Sequence, residues 1–191
     1  MKTGVEMLSN HSGKLLKQYV KDYVVFDLET TGISCKTDDV IEISAIKVMD
    51  EKVVGEFSTL VNPGRPIPPR ASAVNGIYDD MVMEAPSFEE ALRDFIDFIE
   101  EYPLVGHNIY NFDMKFLYRD CQKYFGKTID NDYIDTLKLS WVHLKELPKH
   151  RLVDVAAHYK IDSKGAHRAL NDCRMNQLVF YCMGRDMLKE S

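Results

Sequence analysis

The segment VVFDLETTG, residues 24–32, constrains the fold most, because it reads as a buried β-strand that carries two acidic residues near its end. Successive side chains of a strand point to opposite faces, so residues two apart share a face. Asp27 and Glu29 are therefore expected to point into the same small volume, where two carboxylates repel each other at neutral pH. Such a strand needs compensating positive charge at its end.

Length and composition indicate one globular domain with a short extension. The chain has 191 residues, 45% of them hydrophobic, which is enough to bury a full core. Residues 1–21 read as a polar N-terminal lead-in, with a short helix expected at about 14–19 that packs on the domain. The main domain then covers residues 22–191.

Charge, cysteine use and hydropathy indicate which ligands and which cellular compartment suit the protein. The net charge of -6 is unlike that of most nucleic-acid binders, but carboxylates that hold metal ions would account for part of it. The four cysteines have no CxxC spacing, and the N-terminus does not resemble a signal peptide, which favours free thiols in a reducing compartment. No stretch approaches the roughly 20 apolar residues of a membrane span, so we expect a cytoplasmic protein.

Three stretches rich in β-branched residues open the domain, at 23–29, 40–49 and 53–61. The polar link DEK between the second and the third predicts a hairpin, so the domain begins with an antiparallel meander. The next segment, NPGRPIPPR at 62–70, has four prolines in nine residues and predicts an extended surface loop.

Strands and helices alternate after this loop. Apolar residues at helical spacing predict a helix at 88–99 with Ser87 as its N-cap, and PLVGHN predicts a short buried strand. Further helices are expected at 112–125 (closed by Gly126), 135–144, 152–159 and 168–188. This order indicates an α/β fold with a mixed β-sheet flanked by helices.

More charged residues stand at predicted strand ends and helix starts, where α/β sheets usually build sites. Asp113 lies near the start of one helix, and Asp172 near the start of the last, with His167 five residues before it. Together with Asp27 and Glu29 they suit two-metal phosphodiester hydrolysis, in which two divalent ions about 3.5–4 Å apart clamp the scissile phosphate. Bound Mg²⁺, which prefers carboxylate oxygens, would also cancel the repulsion on the first strand.

Each of these residues also has an explanation without chemistry. A DxE pair can face solvent, Asp113 alone fits a first-turn acid favoured by the helix dipole, and His167 alone fits a surface or capping histidine. Paired acids also serve glycosidases, which would resist chelators. The catalytic interpretation therefore rests on the joint occurrence of four acids and one histidine in this order.

The same motifs resemble those of a known family. FDLETTG, HNIYNFD and HRALND match, in order, the three motifs of the DnaQ-like 3′→5′ exonucleases of the DEDDh class, typified by the proofreading epsilon subunit of bacterial DNA polymerase III. The resemblance runs from about Tyr23 to Met187, and a histidine five residues before the last aspartate separates this class from its tyrosine-bearing relatives. It implies a ribonuclease H-like fold, with 22–191 as the exonuclease domain.

The resemblance implies roles for the motif residues. Asp27, Glu29, Asp113 and Asp172 would be ligands of two divalent metal ions, Mg²⁺ with Mn²⁺ as a substitute. His167 would be the general base, which suits an unperturbed histidine pKa of about 6.5, and Glu29 would also take part in catalysis. The reaction would remove nucleoside 5′-monophosphates from a free 3′ end in proofreading or repair, with a DNA polymerase subunit as a candidate partner.

The resemblance further implies which residues contact the terminal nucleotide, namely Thr30, Thr31, Ile33, Val74, Asn108 and Phe112. The two threonines would lie near the 3′ hydroxyl, Ile33 against the base, and Val74 beside it as an apolar wedge. Asn75 stands where the family often has a histidine. Asn108 either contacts the substrate or caps the following helix.

Three features near the motifs can be explained without a catalytic role. His107, beside the second motif, reads as a structural hydrogen-bonding residue, and an N-cap accounts for Asp135 in DTL. The basic cluster KELPKHR, residues 145–151, either follows a phosphate backbone or is solvated loop charge.

Two other functions stay open from the sequence. One is a 3′→5′ exoribonuclease acting on RNA or short oligonucleotides, because the sequence does not show how the site treats a 2′-OH. DLETTG with the segment from NPGRPIPP to VNGIY favours DNA. The other is an inactive nucleic-acid-binding or polymerase-tethered module, which the presence of all five site residues disfavours.

Overall fold

The fold is built on one mixed sheet, and the computed structural model describes residues 8–165 and 168–189. Its strands are β1 Tyr23–Thr30, β2 Val40–Met49, β3 Lys52–Leu60, β4 Leu104–Gly106 and β5 Tyr133–Asp135, in the order β3-β2-β1-β4-β5. β1 pairs antiparallel with β2 and parallel with β4, which in turn pairs parallel with β5. The carboxyl ends of β1, β4 and β5 therefore lie at the same end of the sheet. The predicted mixed sheet is confirmed.

Helices cover both faces of this sheet. Those in the described residues are α1 Pro69–Asn75, α2 Asp79–Val82, α3 Phe88–Ile99, α4 Asp113–Phe125, α5 Thr136–His143, α6 Leu152–His158 and α7 Ala169–Met187. The sequence did not predict α1 or α2, and it missed β5 by extending the following helix back to Asp135. None of these helices combines the length and the apolar character that crossing a bilayer requires.

Local sequence signals account for several boundaries. The β2–β3 hairpin turns at Asp50 and Glu51, both with positive φ, as the DEK link predicted. Ser87 accepts the Glu90 backbone N–H while the Glu90 side chain accepts the Ser87 N–H, so α3 begins with a full capping box. Gly126 ends α4 in the left-handed conformation at φ 67°.

Side chains of β1 alternate between two apolar layers. Val24, Phe26 and Leu28 pack in the layer that α3 and α4 cover. Tyr23 and Val25 pack in the opposite layer, which is covered mainly by α7. Asp27 and Glu29 continue this second row, so the backbone alternation alone directs both carboxylates towards α7.

The segment before β1 corrects one prediction. Residues 14–19 do not form a helix; Leu15 instead makes a parallel bridge to Tyr133, so the segment runs along the free edge of β5. Tyr19 then packs on Phe180 of α7, with ring centroids 5.1 Å apart. Pairing with β5 explains the extended backbone, because that edge would otherwise leave unpaired N–H and C=O groups.

Candidate active site

Three acidic residues from distant parts of the chain meet at the end of β1. Asp27 and Glu29 come from the strand, and Asp172 comes from the first turn of α7. Each offers a carboxylate oxygen, and these oxygens all lie within 4.8 Å of one another. Three carboxylates at this separation repel each other strongly unless they are protonated or share a cation.

Asp113 adds a fourth carboxylate at the end of β1, from the helix α4 on the opposite face of the sheet to α7. It is the first residue of α4 and only 3% exposed. Its Oδ1 accepts the backbone N–H of Leu28 at 3.2 Å, between the two acids of β1. The four predicted acids are thus brought together, although Asp113 lies outside the group of three that share the 4.8 Å limit.

Burial and mutual repulsion disfavour ionisation of these groups. Burial, then repulsion from Asp113 and Glu29, raises the pKa of Asp27 well above its usual range. Burial, then repulsion from Asp172, raises the pKa of Glu29 to about 8, and burial raises that of Asp113 to about 7. Carboxylates held this close fit hard divalent cations such as Mg²⁺, which take oxygen ligands and favour the ionised form.

One more acid, the buried Glu42 on β2, supports the site and was not identified from the sequence. Its Cα is paired with that of Glu29 across the β1–β2 ladder. Its carboxylate accepts Arg168 Nε and Nη2 at 3.1 and 2.8 Å, and the Ala169 backbone N–H at 3.1 Å. Glu42 therefore fixes the start of α7, three residues before Asp172. The sequence signal that could have identified Glu42 is a glutamate within the buried strand segment VIEIS.

His167, the predicted general base, lies outside the described residues. Its chain neighbour Arg168 is the N-cap residue of α7.

A cavity of about 430 Å³ lies beside the carboxylates. It is lined by residues that include the predicted Thr30, Thr31, Ile33, Val74 and Phe112, together with Glu29, Arg70 and Asn75. Ile33 and Val74 are 90% and 61% exposed, which is unusual for aliphatic side chains of this size. The structure thus joins an exposed apolar pocket to the acidic cluster.

The two threonines use their hydroxyls within the protein. Thr30 Oγ1 donates to the Gly32 carbonyl at 2.7 Å, and Thr31 Oγ1 accepts the Asp39 N–H at 2.9 Å. A side chain at position 32 would displace the Asp38 carboxylate, since a Cβ there would lie 2.5 Å from Asp38 Oδ2. These contacts fix the loop that forms one wall of the pocket.

Asn75 and Asn108 differ in their placement. Asn75 is buried, with its Nδ2 donating to the Thr30 carbonyl at 3.4 Å, so it ties α1 to the end of β1. Asn108 is not among the residues lining the cavity; its Oδ1 accepts Asn111 Nδ2 at 3.0 Å. The capping alternative for Asn108 is wrong, because α4 has Phe112 as its N-cap.

Asp135 holds the loop that leads to Asp113. As predicted, it is an N-cap, accepting the Leu137 N–H at 3.1 Å. It also accepts the backbone N–H groups of Asn108 at 2.9 Å and Tyr110 at 3.3 Å. No signal in the sequence indicated these two contacts, which cross from β5 to the loop after β4.

His107 is a structural residue, in agreement with the sequence-based prediction. Its Nδ1 lies 3.0 Å from Thr136 Oγ1, and its Nε2 lies 2.8 Å from the His150 carbonyl. Burial lowers the pKa of His107, which favours the neutral imidazole. At the second contact Nε2 is the donor, because the His150 carbonyl oxygen can only accept.

Comparison with known proteins gives consistent matches. Residues 24–180 match the profile of the RNase T exonuclease family. The chain is 35% identical to DNA polymerase III subunit epsilon of Aquifex aeolicus over 158 residues, 83% of this chain and 78% of that protein. It is 38% identical to the PolC-type DNA polymerase III of Caldanaerobacter subterraneus over 85% of this chain.

The extent of these matches differs. The chain spans only 11% of the length of the PolC-type relative. Among solved structures, exonuclease X in complex with 5′ overhanging duplex DNA superposes with a TM-score of 0.67 and 26% identity, covering 86% of this chain and 92% of that one.

Proposed function

Because this chain belongs to the exonuclease family, we propose that it hydrolyses phosphodiester bonds from the 3′ end of DNA and releases nucleoside 5′-monophosphates. One observation carries the proposal: carboxylates from β1, α4 and α7 converge beside an exposed apolar pocket. A terminal nucleotide in that pocket would place its 5′ phosphate at the acids.

Asp27, Glu29, Asp113 and Asp172 are the residues that would hold two divalent cations, Mg²⁺ or Mn²⁺. When bound, the cations supply a hydroxide nucleophile and stabilise the leaving oxygen. Asp113 is oriented by the Leu28 N–H, and Asp172 by the anchored start of α7, so the carboxylates are placed before substrate arrives. His167 would accept the proton of the attacking water, and Glu29 would orient that water.

The pocket accounts for specificity towards strand ends. Ile33 and Val74 expose apolar surface to a single base, and stacking supplies about 1–3 kcal/mol per base without regard to sequence. Phe112 adds a third apolar wall next to Asp113. A mismatched or single-stranded end costs less to unpair, so such ends would enter this pocket more readily.

The relatives favour DNA and a replication setting. The Aquifex protein is named DNA polymerase III subunit epsilon, the Caldanaerobacter protein is named a PolC-type DNA polymerase III, and exonuclease X is bound to DNA in its structure. These names support our proposal that the protein acts in the cytoplasm, in proofreading or repair, with a DNA polymerase subunit as its partner. RNA as the preferred substrate is the nearest alternative.

Digestion of matched 5′-labelled DNA and RNA oligonucleotides, with Mg²⁺, Mn²⁺ or a chelator, tests the proposal. We expect a ladder of strands shortened from the 3′ end, faster for DNA, and no products with the chelator. Asp27→Asn should abolish activity, whereas the matched surface variant Asp162→Asn should behave as wild type.

Each competing function has its own result. Faster digestion of RNA would assign an exoribonuclease, and equal, negligible release by wild type and Asp27→Asn would indicate a binding module. Activity that resists the chelator would remove the two-metal mechanism.

A further inference from the structure

An exposed aromatic and basic surface lies on α5 and the loop that follows it. We define the α5 surface by Lys138, Trp141, Val142, Lys145 and Lys149. Trp141 and Val142 are 51% and 58% exposed, and they follow Lys138 by three and four residues, which places all three on neighbouring positions of the helix. Lys145 and Lys149 are exposed in the loop.

The charge of this region is opposite to that of the chain as a whole. Residues 138–151 contain three lysines and one arginine but a single glutamate, while the chain carries a net charge of -6. Arg151 is paired with Asp154, with Nε 2.8 Å from Oδ2. Among the described residues, neither Lys145 nor Lys149 makes a hydrogen bond or a salt bridge, although the charge of Lys149 helps to lower the pKa of Asp154. Both ammonium groups can therefore contact an anionic ligand.

The α5 surface is attached to the candidate active site by direct contacts. Lys138 Nζ lies 3.7 Å from the centre of the Tyr110 ring, in the loop that leads to Asp113. The loop carrying Lys149 is held at the same place, because the His150 carbonyl lies 2.8 Å from His107 Nε2. Movement of this surface relative to the carboxylates is therefore restricted.

Sheet geometry places the α5 surface beside the path of a strand. The pocket lies at the end of β1, whereas α5 begins at the end of β5, two strands away at the same end of the sheet. Strands in a sheet are spaced by roughly 5 Å, so about 10 Å separates the two strand ends. An extended nucleic acid whose last nucleotide fills the pocket would reach α5 with its preceding nucleotides.

We propose that the α5 surface binds the single strand on the 5′ side of the scissile phosphate, with Trp141 stacking on a base and the lysines contacting phosphates. The inference rests on the proposed exonuclease function and adds the surface that grips the remaining strand. Aromatic side chains beside cations are the usual means of holding a strand without reading its sequence.

Equilibrium binding of a fluorescently labelled sixteen-nucleotide DNA, in a chelator to prevent hydrolysis, tests the surface independently of activity. Trp141→Ala should weaken binding about tenfold, in the range of one lost stacking contact. The double variant Lys145→Gln/Lys149→Gln should reduce the slope of log affinity against log salt by about 1.4, since each phosphate contact on a single strand contributes about 0.7.

Lys52→Gln and Val54→Ala are the matched controls, because both residues are exposed on β3, the opposite edge strand. Both should bind the oligonucleotide as wild type does. With Mg²⁺, Trp141→Ala and the double lysine variant should raise the Michaelis constant for the sixteen-nucleotide DNA more than that for a dinucleotide, whereas the two control variants should change neither.

Wild-type affinity and salt slope in the variants would overturn the inference, as would equal losses in the controls. Retained DNA binding with lost association to a polymerase subunit would also overturn it and assign the surface to a protein partner. If the wild-type protein shows no nuclease activity but the substitutions still weaken its DNA binding, the strand-binding surface is supported and the exonuclease function is rejected.

Discussion

Glu42 and Arg168, 126 residues apart in the chain, form a two-pronged ion pair at the base of the acidic cluster. The Glu42 side chain is 3% exposed and that of Arg168 is 43% exposed. The same carboxylate accepts the Ala169 N–H, so it satisfies a donor in the first turn of α7. The pair thus sets the position from which Asp172 enters the site.

We expect Glu42→Ala to lower the free energy of unfolding by about 2–3 kcal/mol, because it leaves a partly buried guanidinium and a buried N–H without their acceptor. Turnover should fall more than the Michaelis constant changes, since Asp172 loses its support while the pocket is untouched. Thermal unfolding and steady-state kinetics measure the two effects.

Glu56→Ala is the matched control. Glu56 pairs with Arg174 in the same two-pronged way, but both side chains are about half exposed. Exposed pairs contribute about 0–1 kcal/mol, so this variant should stay close to wild type. Equal effects of the two substitutions would contradict a positioning role for Glu42.

Sequence reasoning succeeded where the cause of a structure is local. The capping box at Ser87, the left-handed Gly126 and the alternation that pairs Asp27 with Glu29 each depend on residues within four positions. It failed where long-range contacts decide. β5 has only three residues and exists through pairing with β4, too short a run to show periodicity.

Two further failures have the same physical origin. Residues 14–19 have apolar spacing compatible with a helix but extend along β5, so pairing with that edge outweighs local preference. α1 begins at Pro69 inside a proline-rich segment, and proline is well tolerated at a first helical position. Glu42 was missed because its role depends on contacts with Arg168 and Ala169, far along the chain.

We expect the protein to become less stable in a chelator as the pH rises. Burial and neighbouring carboxylates raise the pKa of Glu29 from 4.5 to about 8, so between these values the folded state binds more protons than the unfolded chain. The stabilisation is complete below about pH 4.5 and is lost as the pH rises through 8. Chemical unfolding across this range measures the decline.

Mg²⁺ should reverse this decline. If the proposed ligands hold the cation, it binds their ionised carboxylates in the folded state, so its stabilising effect should be larger at pH 8 than at pH 5. Asp27→Asn/Asp172→Asn should show a weaker response to Mg²⁺ at both values. An identical Mg²⁺ effect in wild type and this variant would place the cation elsewhere.

We expect Ile33→Ala/Val74→Ala to weaken substrate binding without weakening the fold. The two side chains are 90% and 61% exposed, so their truncation should change the free energy of unfolding by no more than about 0.5 kcal/mol. The Michaelis constant for single-stranded DNA should rise up to about tenfold through lost contact with the terminal base. Val54→Ala is the control, because Val54 is 57% exposed on β3. An unchanged Michaelis constant in the double variant would exclude the pocket as the binding site of the terminal base.

We expect His167→Ala to lower turnover by a factor of about 10²–10⁴, the usual effect of losing a general base. Stabilisation by Mg²⁺ should largely remain, because the proposed metal ligands are all carboxylates. Wild-type activity should rise with pH through the histidine titration near 6.5, and the variant should lose that rise. Near-full activity, or a flat wild-type profile when chemistry limits the rate, would remove His167 from this role.

Asp135→Ala should affect both stability and turnover, although the residue does not line the pocket. The substitution removes the acceptor for the backbone N–H groups of Asn108, Tyr110 and Leu137, at an expected cost of about 2–3 kcal/mol. The loop it holds leads into Asp113, and a displacement of about 1 Å at a catalytic group can lower turnover about 10²-fold.

Asp162→Ala provides the comparison for Asp135→Ala, since Asp162 accepts a single backbone N–H, that of Lys164, in an exposed loop. Its free energy of unfolding and turnover should match those of wild type. Asp135→Asn, which keeps one acceptor oxygen, should fall between wild type and Asp135→Ala in both measurements. If Asp135→Ala loses stability but retains wild-type turnover, the Asp135 carboxylate caps α5 but does not position Asp113. A displacement of the loop before Asp113 would lower turnover even in the molecules that remain folded.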